Sequence, residues 1–587
     1  MISERQVQTK TKWRWTPSQQ WAALVKQREE QVFLLVTLLI GALVGLAVVA
    51  FIVLTERFGA RIDATVAPAW RRLVVPIVGS LSMGFLLYKY FPDARGSGVP
   101  QTKAALFARG GIISLRTVFG KFFCTSATLA SGIPLGREGP SVQVGAGIAS
   151  NLGRWLGLSP DKIKALIPVG AAAAVAAAFN TPLAAVLFAL EEVVGDLHAP
   201  VLGSVVLASA TSWAMLRLLL GNDPLFKVPQ YQLVSPWEFL IYAILGLLGG
   251  LVSVAFTKLL LGLRARFLCL PKKTMWLQPA IGGVAVGVMG FFVPQILGVG
   301  YSYVGQVLNG GMALRLMVLL LVLKLFAVVI SYASGNAGGI FGPALFLGAM
   351  LGGAVGGVAH TYFPGHVATA GAYALVGMGT AFAGIVRAPM TSVVMIFETT
   401  RDYAVIVPLM ISNLVSFFIS SRFQPQPIYE VLAHQDGIHL PTAETRIASE
   451  QRRVINAMRP AEQFLRADMT LQEAVEKLRA NGLRAWPVSD QRGVVGIVSI
   501  AALEKAATDG LSNSKLIELM PVEDFPHLHS DQSLAVALER MGAAGLDTLP
   551  VVSRADVRKL EGVVALQDVL KFYGFAGQTE QPTSSRP

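Results

Sequence analysis

The sequence predicts a polytopic α-helical membrane protein with a soluble α/β tail, and three observations carry that reading. Only 14% of the 587 residues are charged and the mean hydropathy is +0.56, whereas a soluble protein carries about a quarter charged residues. Apolar runs recur from Val32 to about Ser421, among them Val32–Leu54, Phe239–Thr257 and Ala404–Ser421. Each is near or above the roughly 18–20 residues a bilayer span needs. Finally, a glycine–proline frame occurs twice, roughly two hundred residues apart. Gly136, Gly139, Pro140, Gly145 and Ala146 recur as Gly339, Gly342, Pro343, Gly348 and Ala349, and Gly170, Pro182, Val186 and Glu191 recur as Gly377, Pro389, Val393 and Glu398. A duplicated membrane unit with glycine-interrupted helices places a transport site between its halves.

In chain order, residues 1–30 form a leader whose Lys10, Lys12, Arg14, Lys26 and Arg28 precede the first apolar run. No small-residue cleavage site follows a short apolar core, so it does not read as a secretory signal. Its basic character fits a cytoplasmic start under the positive-inside rule, whereas Arg71-Arg72, on the outer side, run against that rule. The net charge of +13 is spread over the leader and loops. It reads as membrane-flanking charge and not as a nucleic-acid surface. Cys124 and Cys269 have no spacing that suggests a disulfide or a metal site.

Within the membrane part, long spans alternate with short helices at Pro182–Glu192, Pro343–Met350 and Pro389–Thr399, with proline in the first turn, where its missing N–H costs nothing. Glycines crowd before three helix starts: Gly96-Ser97-Gly98, Gly132 to Gly139 and Gly335 to Gly342. Such glycines also serve as helix-packing surfaces. Three starts in a duplicated frame around an embedded carboxylate, Glu138, point instead to a site. Helix N-termini at membrane depth present free N–H groups and a positive dipole end, a ready-made anion site. A carboxylate stranded at that depth is a functional candidate by default. Glu191-Glu192 end one short helix. Glu191 has Glu398 as its echo, which suggests a structural role, whereas Glu192 has Thr399.

The tail holds a second duplication, at an offset of 63: Leu471, Ala474, Gly482, Leu483, Pro487 and Val488 recur as Leu534, Ala537, Gly545, Leu546, Pro550 and Val551. Each copy reads helix, glycine turn, strand, second strand (Val494–Val498 or Gly562–Ala565) and helix.

The set Gly96-Ser97-Gly98-Val99-Pro100, Gly136-Arg137-Glu138-Gly139-Pro140, Gly338-Gly339-Ile340-Phe341-Gly342-Pro343 and Tyr429 resembles the CLC family of chloride channels and chloride/proton antiporters, over roughly residues 30–435. The resemblance implies a CLC fold of two inverted repeats of short tilted helices, and a homodimer with one pore per subunit. It implies that the hydroxyls of Ser97 and Tyr429 and the backbone N–H groups of Ile340 and Phe341 bind chloride. It makes Glu138 the external gate and proton acceptor and Glu192 the internal proton-transfer residue. Arg137 and Lys121 match basic positions that shape the pore potential without being ligands. Neutral donors suit a transported anion, because they hold it without trapping it.

Two departures, and two features that argue against sister branches, bear on this. Gln101 stands where many relatives have Glu. Lys103 resembles the eukaryotic branch. Ser97 argues against the nitrate-type pattern, and Gly136–Pro140 with Tyr429 against the fluoride-exporting branch.

The tail resembles a tandem pair of CBS domains, modules that commonly bind adenine nucleotides. The first copy has Gly496 and Ser499, but Ala502 sits where the ribose-binding Asp belongs. The second has Gly562 and Asp568, but Ala565 replaces the hydroxyl residue. At most one weak adenine-nucleotide site per subunit is expected, on Asp568; otherwise the tail is a structural module. No other cofactor and no metal are expected.

The expected organisation is a leader (1–30), a transmembrane domain (31–434), a linker (435–452), CBS 1 (453–508), CBS 2 (509–576) and a disordered end (577–587). The expected function is chloride/proton antiport across a plasma membrane, the inner membrane if the source is bacterial, with the CBS pair cytoplasmic. Passive chloride conduction on the same fold, and a nucleotide-sensing membrane module without transport, are the alternatives. No nucleotide-hydrolysing P-loop and no nucleophile–base set suggests an enzyme.

Overall fold

The structure, a computed structural model, describes residues 29–59, 68–197, 200–221, 226, 228, 231, 233–440, 452–460, 464–481, 485–491, 493–509, 514–519 and 525–573. The basic leader residues, most of the linker, Gly482 and Leu483, and the 577–587 end lie outside the described residues. The chain divides into two compact units, Met1–Leu440 and Pro441–Pro587.

The first unit is all helical. In chain order it runs α1 Glu29–Gly59, α2 Ala69–Lys89, α3 Val99–Phe107, α4 Leu115–Ala130, α5 Glu138–Trp155, α6 Pro160–Phe179, α7 Pro182–Phe188 and α8 Leu202–Leu220. The second half follows with α9 Glu238–Leu268, α10 Gln278–Phe292, α11 Tyr301–Leu308, α12 Leu314–Ala333, α13 Phe341–Tyr362, α14 Ala370–Val386, α15 Pro389–Thr400, α16 Ile406–Phe423 and α17 Ile428–Gln435. Helices α1 to α8 correspond one for one to α9 to α16. Among the described residues, eight helices are long and apolar enough to cross a membrane.

Burial sorts the helices. Helices α5, α6, α13 and α14 are buried along most of their lengths. Outer helices expose large apolar side chains such as Leu35, Leu218 and Phe292, as a lipid-facing surface requires. The inner helices touch backbone to backbone. A Cβ at Gly170 would sit 2.7 Å from the Gly145 carbonyl carbon, and one at Gly377 would sit 2.8 Å from Gly352 Cα. Those glycines are packing surfaces in the sense expected for membrane helices.

The halves meet reciprocally. Gly136 N–H donates to Gly339 O and Gly339 N–H donates to Gly136 O, both at 2.7 Å, in an antiparallel bridge. The Glu191 carboxylate accepts from the N–H groups of Met390 and Thr391 at the start of α15. Glu398 accepts from Leu183 and Ala184 at the start of α7. Each repeat thus caps the other's short helix, which relates them by an internal two-fold and accounts for the Glu191/Glu398 echo.

Two helices differ from expectation. The helix expected at Pro343–Met350 runs from Phe341 to Tyr362, because no proline interrupts the residues after Met350 and Gly352 and Gly356 find backbone neighbours on α14. The helix expected at Pro182–Glu192 is α-helical only to Phe188 and continues as a π-turn, Ala189–Val194, closed by left-handed Gly195.

The second unit holds two three-stranded sheets. They are built from α18 Val454–Ala457, β1 Arg459–Pro460, β2 Leu465–Arg466, α19 Leu471–Asn481, β3 Ala485–Asp490, β4 Gly493–Ser499, α20 Ile500–Thr508, α21 Leu534–Ala544, β5 Thr548–Val552, β6 Leu560–Ala565 and α22 Leu566–Phe572. The helix–strand–strand–helix copies stand where the repeat places them, but their edges are exchanged. Strand β1 pairs with β6 in the order β1-β6-β5, and β2-β3-β4 forms the other sheet. Val454 and Ala457 pack in the core of the second copy, and Leu516 packs in that of the first. Contiguous sequence boundaries therefore do not coincide with the packed units.

Candidate anion and proton site

The site begins with backbone that only glycine tolerates. Gly96 (φ +86°) and Gly98 (φ +104°) flank Ser97, and a Cβ at Gly98 would lie 2.9 Å from the carbonyl carbon of Gly139. Gln101 accepts from the Gly98 N–H at 2.9 Å and fixes the start of α3. Fully buried Lys121, on α4, donates to Ala94 O (2.9 Å) and Gly96 O (2.6 Å). It therefore clamps the loop that presents Ser97 and is not aimed at an anion.

Tyr429 is fully buried on α17. Arg264 secures the end of that helix, donating to Gln435 at 2.8 Å and pairing with Asp436. Ser97 Oγ and Tyr429 OH are both buried and face each other, and neither makes a well-formed hydrogen bond to any other described residue. Two buried hydroxyls with donor capacity to spare are costly unless something accepts from them. The expected pairing of these two residues is thus present in space.

Glu138 is the first residue of α5 and is fully buried. Its Oε2 accepts from Gly342 N–H at 3.2 Å, in the first turn of α13. Its Oε1 accepts from the hydroxyl of Tyr301, the first residue of α11. The carboxyl group therefore sits at the N-terminal end of α13, beside Ile340 and Phe341. The Phe341 ring is locked among Phe179, Phe188 and Phe382, with centroids 4.7, 5.5 and 4.3 Å away. Arg137 pairs with Glu56 at 3.0 Å and stacks 5.7 Å over the Tyr301 ring. Its contacts are thus with Glu56 and with Tyr301, the phenol that bonds Glu138.

Glu192 sits in the π-turn. That turn aims the adjacent glutamates apart, Glu191 to α15 and Glu192 to Lys103. Lys103 Nζ and Glu192 Oε1 are 2.8 Å apart, and both side chains are about 6% exposed. Glu192 also feels Glu430, and Tyr429 lies within electrostatic reach of both Glu192 and Glu138. Ser97, Tyr429, Glu138, Ile340 and Phe341 thus form one cluster, with Glu192 on its Tyr429 side.

Sequence reasoning missed two participants. Tyr301 carries no motif of its own. Lys324 repeats Lys121 in the second half: fully buried, it donates to Ile296 O (2.9 Å) and Gly298 O (2.6 Å), the loop leading into Tyr301. The repeat offset that aligns Gly136 with Gly339 also aligns Lys121 with Lys324, so that signal was present.

In the tail, Asp568 Oδ1 accepts from Arg459 at 2.7 Å, while Oδ2 is buried without a partner among the described residues. Ser499 Oγ accepts from Ala502 N–H at 3.2 Å and so serves as a helix cap. Both cysteines are free, and no group of three or more potential metal ligands occurs among the described residues.

The chain is similar to known proteins in sequence and in fold. The family model described as voltage gated chloride channel matches residues 78–421, and the CBS domain model matches 453–509 and 517–574. The chain is 33% identical over 382 residues to the H(+)/Cl(-) exchange transporter ClcA of Vibrio campbellii, covering 63% of this chain and 81% of that protein. It resembles the crystal structure of a slow cyanobacterial Cl−/H+ antiporter with a TM-score of 0.64 and 25% identity, over 69% of this chain and 97% of that one. A eukaryotic CLC transporter shares the fold over 93% of this chain and 98% of its own, with a TM-score of 0.60 and 20% identity.

Proposed function

The chain belongs to the voltage-gated chloride channel (CLC) family, and from that premise we propose that it exchanges chloride for protons. The observation that carries this is Glu138: a buried carboxylate seated on the N-terminal end of α13, held by Gly342 N–H and Tyr301 OH. A chloride ion and an ionised carboxylate compete for the same helix end. Proton uptake by Glu138 removes its charge and weakens its hold there, which admits chloride, so one side chain links the two ions. The hydroxyls of Ser97 and Tyr429 donate to the anion on the neighbouring side. Glu192 delivers protons towards this cluster and must part from Lys103 to accept one.

Passive chloride conduction is the second reading, and the Lys103–Glu192 pair favours it, since a lysine-bound carboxylate is not free to relay protons. The reading extends to a homodimer with one pore per subunit in a plasma membrane, with the CBS pair on the cytoplasmic side and Asp568 as the anchor of an adenine nucleotide. Chloride efflux from proteoliposomes with simultaneous pH recording tests the exchange. Proton movement driven uphill by a chloride gradient is expected, and chloride efflux without it assigns the protein to the channels.

A further inference from the structure

We propose that the cleft between α1, α2 and α4 binds an anionic phospholipid, with its phosphate on Arg71 and an acyl chain laid along α2. The cleft has a volume of about 800 Å³ and lies apart from the anion site.

Its floor excludes polar ligands. Cys124, Ser126 and Ser131 are buried there. The Ser126 and Ser131 hydroxyls donate to Phe122 O and Thr128 O within their own helix, each at 2.7 Å. Both hydroxyl donors of the floor are thus used within the helix, and a dry apolar cavity takes hydrocarbon. On α2 the lining runs from Arg71 through Val75 and Met83 to Leu86. At 1.5 Å per residue that is about 22 Å, more than one leaflet's half of the roughly 30 Å hydrocarbon core.

One end carries charge. Arg71 is exposed in the first turn of α2, its guanidinium 5.5 Å from the ring of exposed Trp70. Trp and Arg together at a helix start mark the membrane–water interface, the depth of a lipid phosphate. Arg71 pairs with no carboxylate among the described residues. A guanidinium at the mouth of an apolar cleft therefore selects an anionic headgroup.

The site also reaches the pore. Phe91 lines the cleft and packs on Gly120 of α4. It leads into Ala94, whose carbonyl is held by Lys121. A lipid wedged there braces the clamp on the Ser97 loop.

The test is native mass spectrometry of the full-length protein from nanodiscs of equal phosphatidylglycerol and phosphatidylcholine, a readout independent of transport. Wild type is expected to retain phosphatidylglycerol preferentially. Arg71→Gln should cut that preference about fivefold, the effect of one interfacial arginine. Lys89→Gln, at the other end of α2, should leave it unchanged. Ala127→Trp, which fills the cleft, should remove the retained lipid. Equal retention of both lipids by wild type, an unchanged preference in Arg71→Gln, or an equal loss in Lys89→Gln would overturn the proposal.

Discussion

Glu138 has two partners of different kinds, a backbone N–H and a phenol, and this dictates what its removal does. In Glu138→Gln the side chain stays neutral at every pH and no longer competes as an anion. Proton movement should fall by about a hundredfold or more, the scale of losing a positioned proton-transfer group, while chloride efflux continues and loses its pH dependence. Simultaneous chloride and pH electrodes on proteoliposomes read both; intact proton coupling would remove Glu138 from the mechanism. Glu192→Gln separates the proton route from the anion route. Chloride efflux should persist with weakened coupling, and chloride affinity should not change, because Glu192 contacts Lys103 and not the α13 helix end. If coupling is unaltered, the proton travels by another group.

At the scale of elements, the two halves are held by side chains that end on backbone. Glu398 accepts from two N–H groups at the start of α7, so Glu398→Ala leaves that helix end uncapped at a cost of about 1–2 kcal/mol. The expected result is a lower midpoint in detergent thermal unfolding with ion coupling preserved. Lys121 and Lys324 make a sharper pair. Each pairs with no carboxylate among the described residues but donates to two loop carbonyls, so replacing either with Met leaves buried acceptors unpaired, at about 1–3 kcal/mol each. Because the loops differ, the consequences should differ. Lys121→Met, which frees the Ser97 loop, should weaken chloride binding about tenfold, a change of about 1.4 kcal/mol. Lys324→Met, which frees the approach to Tyr301, should shift the pH dependence of chloride efflux instead. Identical effects of the two variants on both readouts would make the lysines general stabilisers.

For the whole molecule, the tail carries one candidate ligand contact, Asp568. Arg459 and Asp568 come from opposite ends of the tail sequence and meet because β1 pairs with β6. A nucleotide ribose must displace Arg459 or share Asp568 with it, which makes weak binding the expectation. Calorimetry of the full-length protein with ATP, ADP and AMP should give at most one site per subunit, abolished in Asp568→Ala. No heat with any nucleotide would leave the tail a structural module.

The sequence by itself determined the duplication, the three glycine-rich helix starts, the buried Glu138 and the tail repeat. Each is written in local chemistry: left-handed φ angles, close backbone approach and proline in a first turn leave glycine and proline at set spacings. It also assigned Glu191 and Glu398 to structure, because a feature shared by both halves follows the symmetry of the fold. Only the tertiary structure decided who answers these residues. Tyr301 on Glu138, Lys103 on Glu192 and Arg459 on Asp568 are meetings of residues 89 to 163 positions apart. The exchange of β1 and the run of α13 past Met350 likewise depended on which surfaces were free to pack. A hydrogen bond across such distances imposes no spacing on the chain, so nothing local announces it.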